Sequence, residues 1–291
     1  MSSRTVLVTG ASTGIGRACA LHLDHLGWNV FAGVRKEADG RALGRDASAR
    51  LVAVKLDVTD PASIEESVGR VADATGAKGL NGLVNNAGVT VQGPLEYLDL
   101  DDLRNQFEVN VIGQIAVTQA FLPALRQAAP EAGRIVFMSS IAGRASALPL
   151  IGPYSASKRA LEALAESLRS ELLPWNIGVS LVEPGSIATP IWEKGDETVD
   201  AIIEDLPEEG KARYERALLR GRDLATQTGK RGIPPERVAA KVEHALAAQR
   251  PHFRYLVGAD AKARAFMEPA VPTWVRDKAV GRMLGYSKRS S

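Results

Sequence analysis

Thr5-Val6-Leu7-Val8-Thr9-Gly10-Ala11-Ser12-Thr13-Gly14-Ile15-Gly16 is the stretch that decides the fold. It opens as an apolar run of strand character and turns through three glycines. A helical pattern then follows over residues 15–26. Gly10 permits the tight turn, Gly14 lets backbone approach a pyrophosphate, and Gly16 lets the helix pack closely on the sheet. The amino end of a helix offers unpaired N–H groups and the positive end of its dipole to an anion, so Gly10, Ser12, Thr13, Gly14, Ile15 and Gly16 form a candidate phosphate cradle. Glycine spacing alone is a weak signal. A strand before it and a helix after it, at the start of a βαβ unit, make it specific.

Outward from this stretch, short apolar runs alternate with longer helical patterns. Strands are expected at residues 5–9, Asn29–Val34, Leu51–Lys55, Gly82–Asn85, Arg134–Met138 and 179–182. Their Val, Ile and Leu content without polar alternation suits strands buried on both faces. Helices are expected near 15–26, Pro61–Thr75, 103–126 and 154–173. Asp60-Pro61 reads as an N-cap followed by proline at the first helical position, and Pro174 as the end of the Tyr154 helix. The pattern predicts an α/β fold, a three-layer, doubly wound parallel sheet with helices on both faces. Residues 191–232 are charged and helical with no strand. They break the alternation and are expected to form a helical insertion covering a ligand. A helix over 235–249 and a last strand, Arg254–Val257, follow. Without repeats or a low-complexity linker, residues 1–291 are read as one domain.

Composition excludes several classes. The 291-residue chain is 45% hydrophobic and 24% charged, as in soluble globular proteins, and its net charge of +2 gives no argument for nucleic acid as a partner. One cysteine and four histidines provide no metal-ligand spacing. Cys19 sits among Ala18, Ala20 and Leu21 and reads as a small core residue. No signal peptide or bilayer-length apolar run is read, so the default expectation is cytoplasmic.

The end of the second strand bears on cofactor choice. Dinucleotide folds that prefer NAD place an acidic residue there to bond the ribose hydroxyls. This chain has Gly33-Val34-Arg35-Lys36, and a guanidinium at Arg35 suits a 2′-phosphate. The reading favours NADP(H), and Glu37 keeps NAD(H) open.

Several motifs, in order, resemble the short-chain dehydrogenase/reductase family, and the segment Arg254-Tyr255-Leu256-Val257-Gly258 with the C-terminal helical stretch looks like its steroid and retinol dehydrogenase branch. The resemblance runs from Thr5 to about Thr189. It includes the cradle, Asp57 and Val58, Asn85-Asn86-Ala87-Gly88, Asn110, Ser140, Tyr154-Ser155-Ala156-Ser157-Lys158, and Pro184-Gly185 with Ile187 and Thr189. It implies that Asn110, Ser140, Tyr154 and Lys158 are catalytic. It also implies that Asp57 and Val58 face the adenine, Asn86, Ala87 and Gly88 line the cofactor, and Pro184, Gly185, Ile187 and Thr189 contact nicotinamide and phosphate. The interval from Ser140 to Tyr154 is one residue longer than the commonest family spacing, the extra residue falling within 148–153. Ser140 is taken as the match, with Ser139 the alternative.

The chemistry fits those residue types. Tyr154 and Lys158 lie at i and i+4 and so share a helix face. A free phenol, with a pKa of about 10, is a poor base, and a nearby ammonium is expected to lower that value. Tyr154 would exchange the alcohol proton while hydride passes to or from the cofactor, and Ser140 would orient the substrate oxygen. The resemblance adds that Lys158 holds the cofactor ribose and that Asn110 supports a proton-relay water.

A substrate pocket is expected outside the carboxyl ends of the strands, lined by Leu148, Ile151, Ile191, Trp192, Tyr214 and Leu218. Their apolar character points to a bulky hydrophobic alcohol or ketone, steroid- or retinoid-like, as the small-molecule substrate. Small or acyl-carrier-bound ketones are the alternative. The basic, apolar stretch 273–289 is expected to dock on its own domain rather than on a membrane surface. The resemblance implies a homodimer or homotetramer. A nucleotide-sensing protein without catalysis is the rival from another class, and the intact Tyr154/Lys158 pair argues against it.

Overall fold

The run from Thr5 to Val8 forms an interior strand, buried at every position and flanked by a strand on each side. A computed structural model describes residues 4–128, 133–145, 147–189, 191–267 and 270–285, the side chains of 191–197 excepted. The strands are β1 (Thr5–Val8), β2 (Asn29–Val34), β3 (Leu51–Lys55), β4 (Gly82–Asn85), β5 (Arg134–Met138), β6 (Gly178–Pro184) and β7 (Arg254–Val257). They form one seven-stranded sheet in the order β3-β2-β1-β4-β5-β6-β7, parallel throughout. The order reverses between β1 and β4, which opens a crevice at their carboxyl ends.

Two helical layers cover the sheet, as expected for strands apolar on both faces. On one face α1 (Gly14–His25) and α10 (Glu236–Ala247) pack Cys19, Leu23, Val238 and Val242 against Val6, Val84 and Val136. On the other face α3 (Pro61–Thr75), α5 (Gly113–Gln127) and α7 (Gly152–Glu171) pack Val71, Phe121 and Leu161 against Leu7, Leu83 and Phe137. Asp60 caps α3 as expected, its carboxylate accepting from the Ala62 N–H at 3.0 Å with Pro61 at the first position.

The remaining helices are α2 (Glu37–Gly44), α4 (Leu100–Phe107), α6 (Ile141–Arg144), α8 (Ile191–Asp205), α9 (Glu208–Lys230), α11 (Ala259–Met267) and α12 (Thr273–Leu284). The helical insertion expected after Thr189 is the α8–α9 pair, with its own small core of Val199, Leu206 and Leu218.

Three local expectations need correction. The single helix expected over 103–126 is instead α4 and α5 joined by a π-helical turn, Glu108–Ile112, with Asn110 at its centre. Helix α2 has no counterpart in the sequence reading, because eight residues with few apolar positions leave little periodicity to detect. Pro174 does not itself stop α7. It sits inside a 3₁₀ turn, Leu173–Trp175, that closes on Asn176 in the left-handed conformation.

Candidate active site

The cradle owes its shape to three glycines and one threonine. Gly10 and Gly14 have φ values of +62° and +57°, a region side-chain-bearing residues rarely enter. A Cβ at Gly16 would stand 2.2 Å from the Gly10 carbonyl oxygen and 2.4 Å from the Asn86 amide nitrogen. Gly16 therefore lets the helix close onto the cradle loop itself, and not onto the sheet as its spacing suggested. The Thr9 hydroxyl accepts from the Asn86 and Ala87 N–H groups at 2.9 and 3.0 Å. In return the Asn86 side-chain amide donates to the Thr9 and Gly10 carbonyls at 3.0 and 3.1 Å. The turn after β4 and the turn after β1 are thus one hydrogen-bonded unit. Thr13 precedes α1 without capping it by its side chain, so the first N–H groups of the helix face the cradle uncapped.

A dinucleotide fits these residues, because the loop brings bare backbone and an uncapped helix end to the crevice where the strand order reverses. Thr189 reaches over from the β6 side, where a Cβ at Gly14 would touch its methyl at 3.5 Å. The segment leading to Thr189 is fixed by a parallel bridge of Ile187 with Ile233 and by Asp260, whose carboxylate accepts from the Ser186 N–H at 2.7 Å. Gly185 is required there, since a Cβ would fall 2.3 Å from the Asp260 carboxylate. Ile187 is buried, and Pro184 and Gly185 continue β6 into this turn.

On the β2–β3 side, Arg35 is exposed directly after β2. Burial pushes the Asp57 carboxyl up, but hydrogen bonds from the Thr59 N–H and hydroxyl and the Arg35 charge hold it below the usual range. The Val58 side chain belongs to the core, leaving only its backbone toward the crevice.

The catalytic candidates converge at the ends of β5 and α7. Lys158 is buried, and its Nζ donates to the Met138 carbonyl at 2.7 Å and stands 5.8 Å from the centre of the Tyr154 ring. The two serines of Ser139-Ser140 diverge. The buried Ser139 hydroxyl donates to Glu162 Oε1 at 2.7 Å. The Ser140 hydroxyl accepts from the Ala142 N–H at 3.1 Å, capping α6, and is hydrogen-bonded to Tyr154. Asn110 is buried in the π turn. Its Oδ1 accepts from the Val89 N–H at 2.8 Å, and its Nδ2 donates to the Val89 carbonyl at 3.0 Å and to the Ser157 hydroxyl at 3.2 Å. The helix irregularity thereby ties the loop after β4, at Val89, to the helix that carries Tyr154 and Lys158.

The expected acidification of Tyr154 is not what this arrangement produces. Burial pushes the phenol up, the Ser140 hydrogen bond pulls the other way, and burial wins. Lys158 is itself pushed down to about 8 by burial, with the Glu162 charge acting against the fall. Its ammonium is committed to the Met138 carbonyl.

The expected substrate lining divides. Leu148 and Ile151 are half-buried on the segment leading into α7, where Leu150 adopts a φ of +69°. That left-handed residue sits within the 148–153 stretch where the family spacing is exceeded. Leu218 is 2% exposed within the α8–α9 core, and the Tyr214 hydroxyl donates to Glu96 Oε2 at 2.8 Å. Both hold the helical pair together, a fate that apolar and amphipathic residues commonly share. Ile191 and Trp192 open α8, and their side chains lie outside the described residues. Glu162, Arg254, Asp260 and Thr9 were not singled out from the sequence. Glu162 alone had a local signal, one turn beyond Lys158.

Residues 4–200 match the family model for short chain dehydrogenase. The chain belongs to the short-chain dehydrogenase family and is an oxidoreductase. It is 39% identical to mouse retinol dehydrogenase 5 over 90% of this chain and 82% of that protein. It is 36% identical to the NADPH-dependent 3-dehydrocapnine reductase of Ornithobacterium rhinotracheale, over 87% of this chain and 88% of that one. A solved short-chain dehydrogenase from Burkholderia cenocepacia in complex with NADP superposes with a TM-score of 0.69 at 27% identity, covering 97% of each chain. Among the described residues no helix is long and apolar enough to cross a membrane, and no group of side chains could hold a metal ion.

Proposed function

We propose that this chain interconverts a hydroxyl and a ketone or aldehyde on a hydrophobic, steroid- or retinoid-like substrate with NADP(H). The observation that carries the reading is the cluster of Ser140, Tyr154 and Lys158 beside the glycine cradle. Gly10, Ser12, Thr13, Gly14, Ile15 and Gly16 would hold the pyrophosphate, and Arg35 the 2′-phosphate. Asp57 and Val58 would meet the adenine, and Asn86, Ala87 and Gly88 the middle of the cofactor. Pro184, Gly185, Ile187 and Thr189 would hold the nicotinamide end, and Lys158 the adjoining ribose. When bound, the nicotinamide supplies or accepts the hydride.

Ser140 orients the substrate oxygen toward Tyr154. With its pKa raised, Tyr154 is a neutral acid at pH 7, ready to protonate a carbonyl oxygen as it gains hydride. For the reverse reaction the Lys158 ammonium must stabilise the phenolate. Asn110 braces Ser157 and so the helix that carries both groups. Leu148, Ile151, Ile191 and Trp192 would surround the apolar part of the substrate, and the α8–α9 pair would cover it.

The retinol dehydrogenase and NADPH-dependent reductase among the relatives support the substrate class and cofactor. So does the placement of Arg35 where an acidic residue would favour NAD. A homodimer or homotetramer is the assembly expected from the family.

The test is nicotinamide absorbance over steroid, retinoid and small-ketone panels with NADPH and NADH. Tyr154→Phe should cut turnover by about 10²–10⁴-fold with cofactor binding kept. Full activity in that variant would refute the mechanism. Arg35→Asp should weaken NADPH binding about tenfold or more and spare NADH. Equal losses for the two cofactors would remove the NADP(H) preference. Tight cofactor binding with no turnover on any panel would favour a nucleotide sensor.

A further inference from the structure

Behind Lys158, on the side away from the crevice, lies a chain of buried charges that the proposed chemistry does not use. Glu162 follows Lys158 by one turn of α7, and its side chain is 8% exposed. One carboxylate oxygen accepts the Ser139 hydroxyl at 2.7 Å. The other accepts from Arg254 Nη1, on β7, at 2.6 Å. The same Nη1 donates to Glu183 Oε1 on β6 at 2.7 Å, and the Glu183 side chain is fully buried. Arg144, at the end of α6, stands 4.0 Å from Glu183, and Glu166, one turn further along α7, stands 4.0 Å from Arg254. Gly143 of α6 allows this closeness, since a Cβ there would lie 2.7 Å from Glu162 Oε1 and 3.0 Å from the Ser139 hydroxyl.

The groups around Lys158 can be taken element by element. Tyr154 and Glu162 share its helix. β5 contributes the Met138 carbonyl and the Ser139 hydroxyl, and the π turn contributes neutral Asn110 through Ser157. Beyond Glu162 come Arg254 from β7, Glu183 from β6 and Arg144 from α6. Glu162 is the negative charge that acts directly on the buried ammonium. It also turns Ser139 away from the crevice at the same turn that presents Ser140.

We infer that Glu162 is a positioning residue with two effects: its charge keeps Lys158 protonated, and its hydrogen bond to Ser139 fixes the turn that aims Ser140. Arg254 holds Glu162 in place through its 2.6 Å hydrogen bond to the second carboxylate oxygen. The sheet edge at β7 is thereby coupled to the catalytic helix. The sign follows from the charges. Burial already lowers Lys158 to about 8, so loss of the Glu162 charge must lower it further.

This inference rests on Lys158 acting as proposed, but its primary test does not depend on turnover. The lysine ε-carbon signals of the cofactor-free protein are followed by NMR against pH, with Lys158 assigned through Lys158→Arg. In Glu162→Gln the Lys158 midpoint should fall by about one unit, while Ser139→Ala leaves it in place. An unmoved midpoint in Glu162→Gln, or an equal shift in Ser139→Ala, would overturn the inference. Should Glu162→Gln fail to fold, Glu162→Asp keeps the charge but draws it back from Ser139. Its midpoint should stay near the wild-type value while turnover falls several-fold, and a shifted midpoint or unchanged turnover refutes the pairing of roles. Tyr154→Phe, assayed beside these variants, reports separately on the proposed mechanism.

Discussion

The cradle and the α8–α9 pair are held by different physics. The cradle is bound by hydrogen bonds between residues distant in sequence, from the buried Thr9 to Asn86 and Ala87. The α8–α9 pair is held to the body by exposed polar contacts. Arg213 and Tyr214 meet Glu96, and Tyr97 lies edge-on to Tyr214. Arg222 meets Asp200 between the two helices. Buried hydrogen bonds are expensive to leave unmade, whereas exposed ion pairs contribute little. The fold therefore holds the glycine loop rigidly and leaves the α8–α9 pair easier to rearrange.

Gly16→Ala should break the rigid side most severely. The new methyl would meet a backbone carbonyl at 2.2 Å and a pinned amide, neither of which can yield. A loss of about 3 kcal/mol is expected, together with loss of cofactor binding. Urea denaturation and cofactor titration would measure both, and a variant that binds as wild type would refute the tight closure of α1 onto its loop.

An intermediate effect is expected at Asp24, which anchors α1 to the segment before β3. Its buried carboxylate accepts the Ser48 N–H at 2.8 Å and the Ser48 hydroxyl at 2.5 Å. Burial raises its pKa, but Ser48 and Arg50 outweigh that and hold it below the ordinary value. The folded state thus gains stability that is fully present above the unfolded pKa of about 3.9, and loses it as pH falls through the lower folded value. Asp24→Asn should cost about 2 kcal/mol at neutral pH, and its unfolding curve should approach that of wild type in acid. Parallel curves down to low pH would argue against the linkage.

The smallest effect on stability belongs to Glu96→Gln. The thermal midpoint should hardly move, since its partners are exposed, while KM for a bulky substrate shifts several-fold and loses its salt dependence. If that variant unfolds readily, the α8–α9 pair is not the loosely held side of the comparison.

How much of this was legible in sequence differs between the same two regions. The strands Asn29–Val34, Gly82–Asn85 and Arg134–Met138 are found at their expected limits, because buried parallel strands are continuous apolar runs. Asn110, Ser140, Tyr154 and Lys158 are gathered at one end of the sheet, where their order along the motifs implied they would be. The π turn at Asn110 left no trace in the helical period. Tyr214 and Leu218 were assigned to a pocket but serve the interior of the α8–α9 pair, since an apolar side chain does not announce which surface it will meet.

Sequence by itself determined the sheet and the glycine turn after β1, because period and glycine spacing are local properties. Only the tertiary structure decided that Ser139 turns to Glu162 while Ser140 turns to Tyr154. It also decided that burial raises the phenol, and that Arg254 reaches Glu162 across 92 residues of chain. Those outcomes depend on desolvation and on which charges come together from distant strands, and neither quantity exists until the chain has folded.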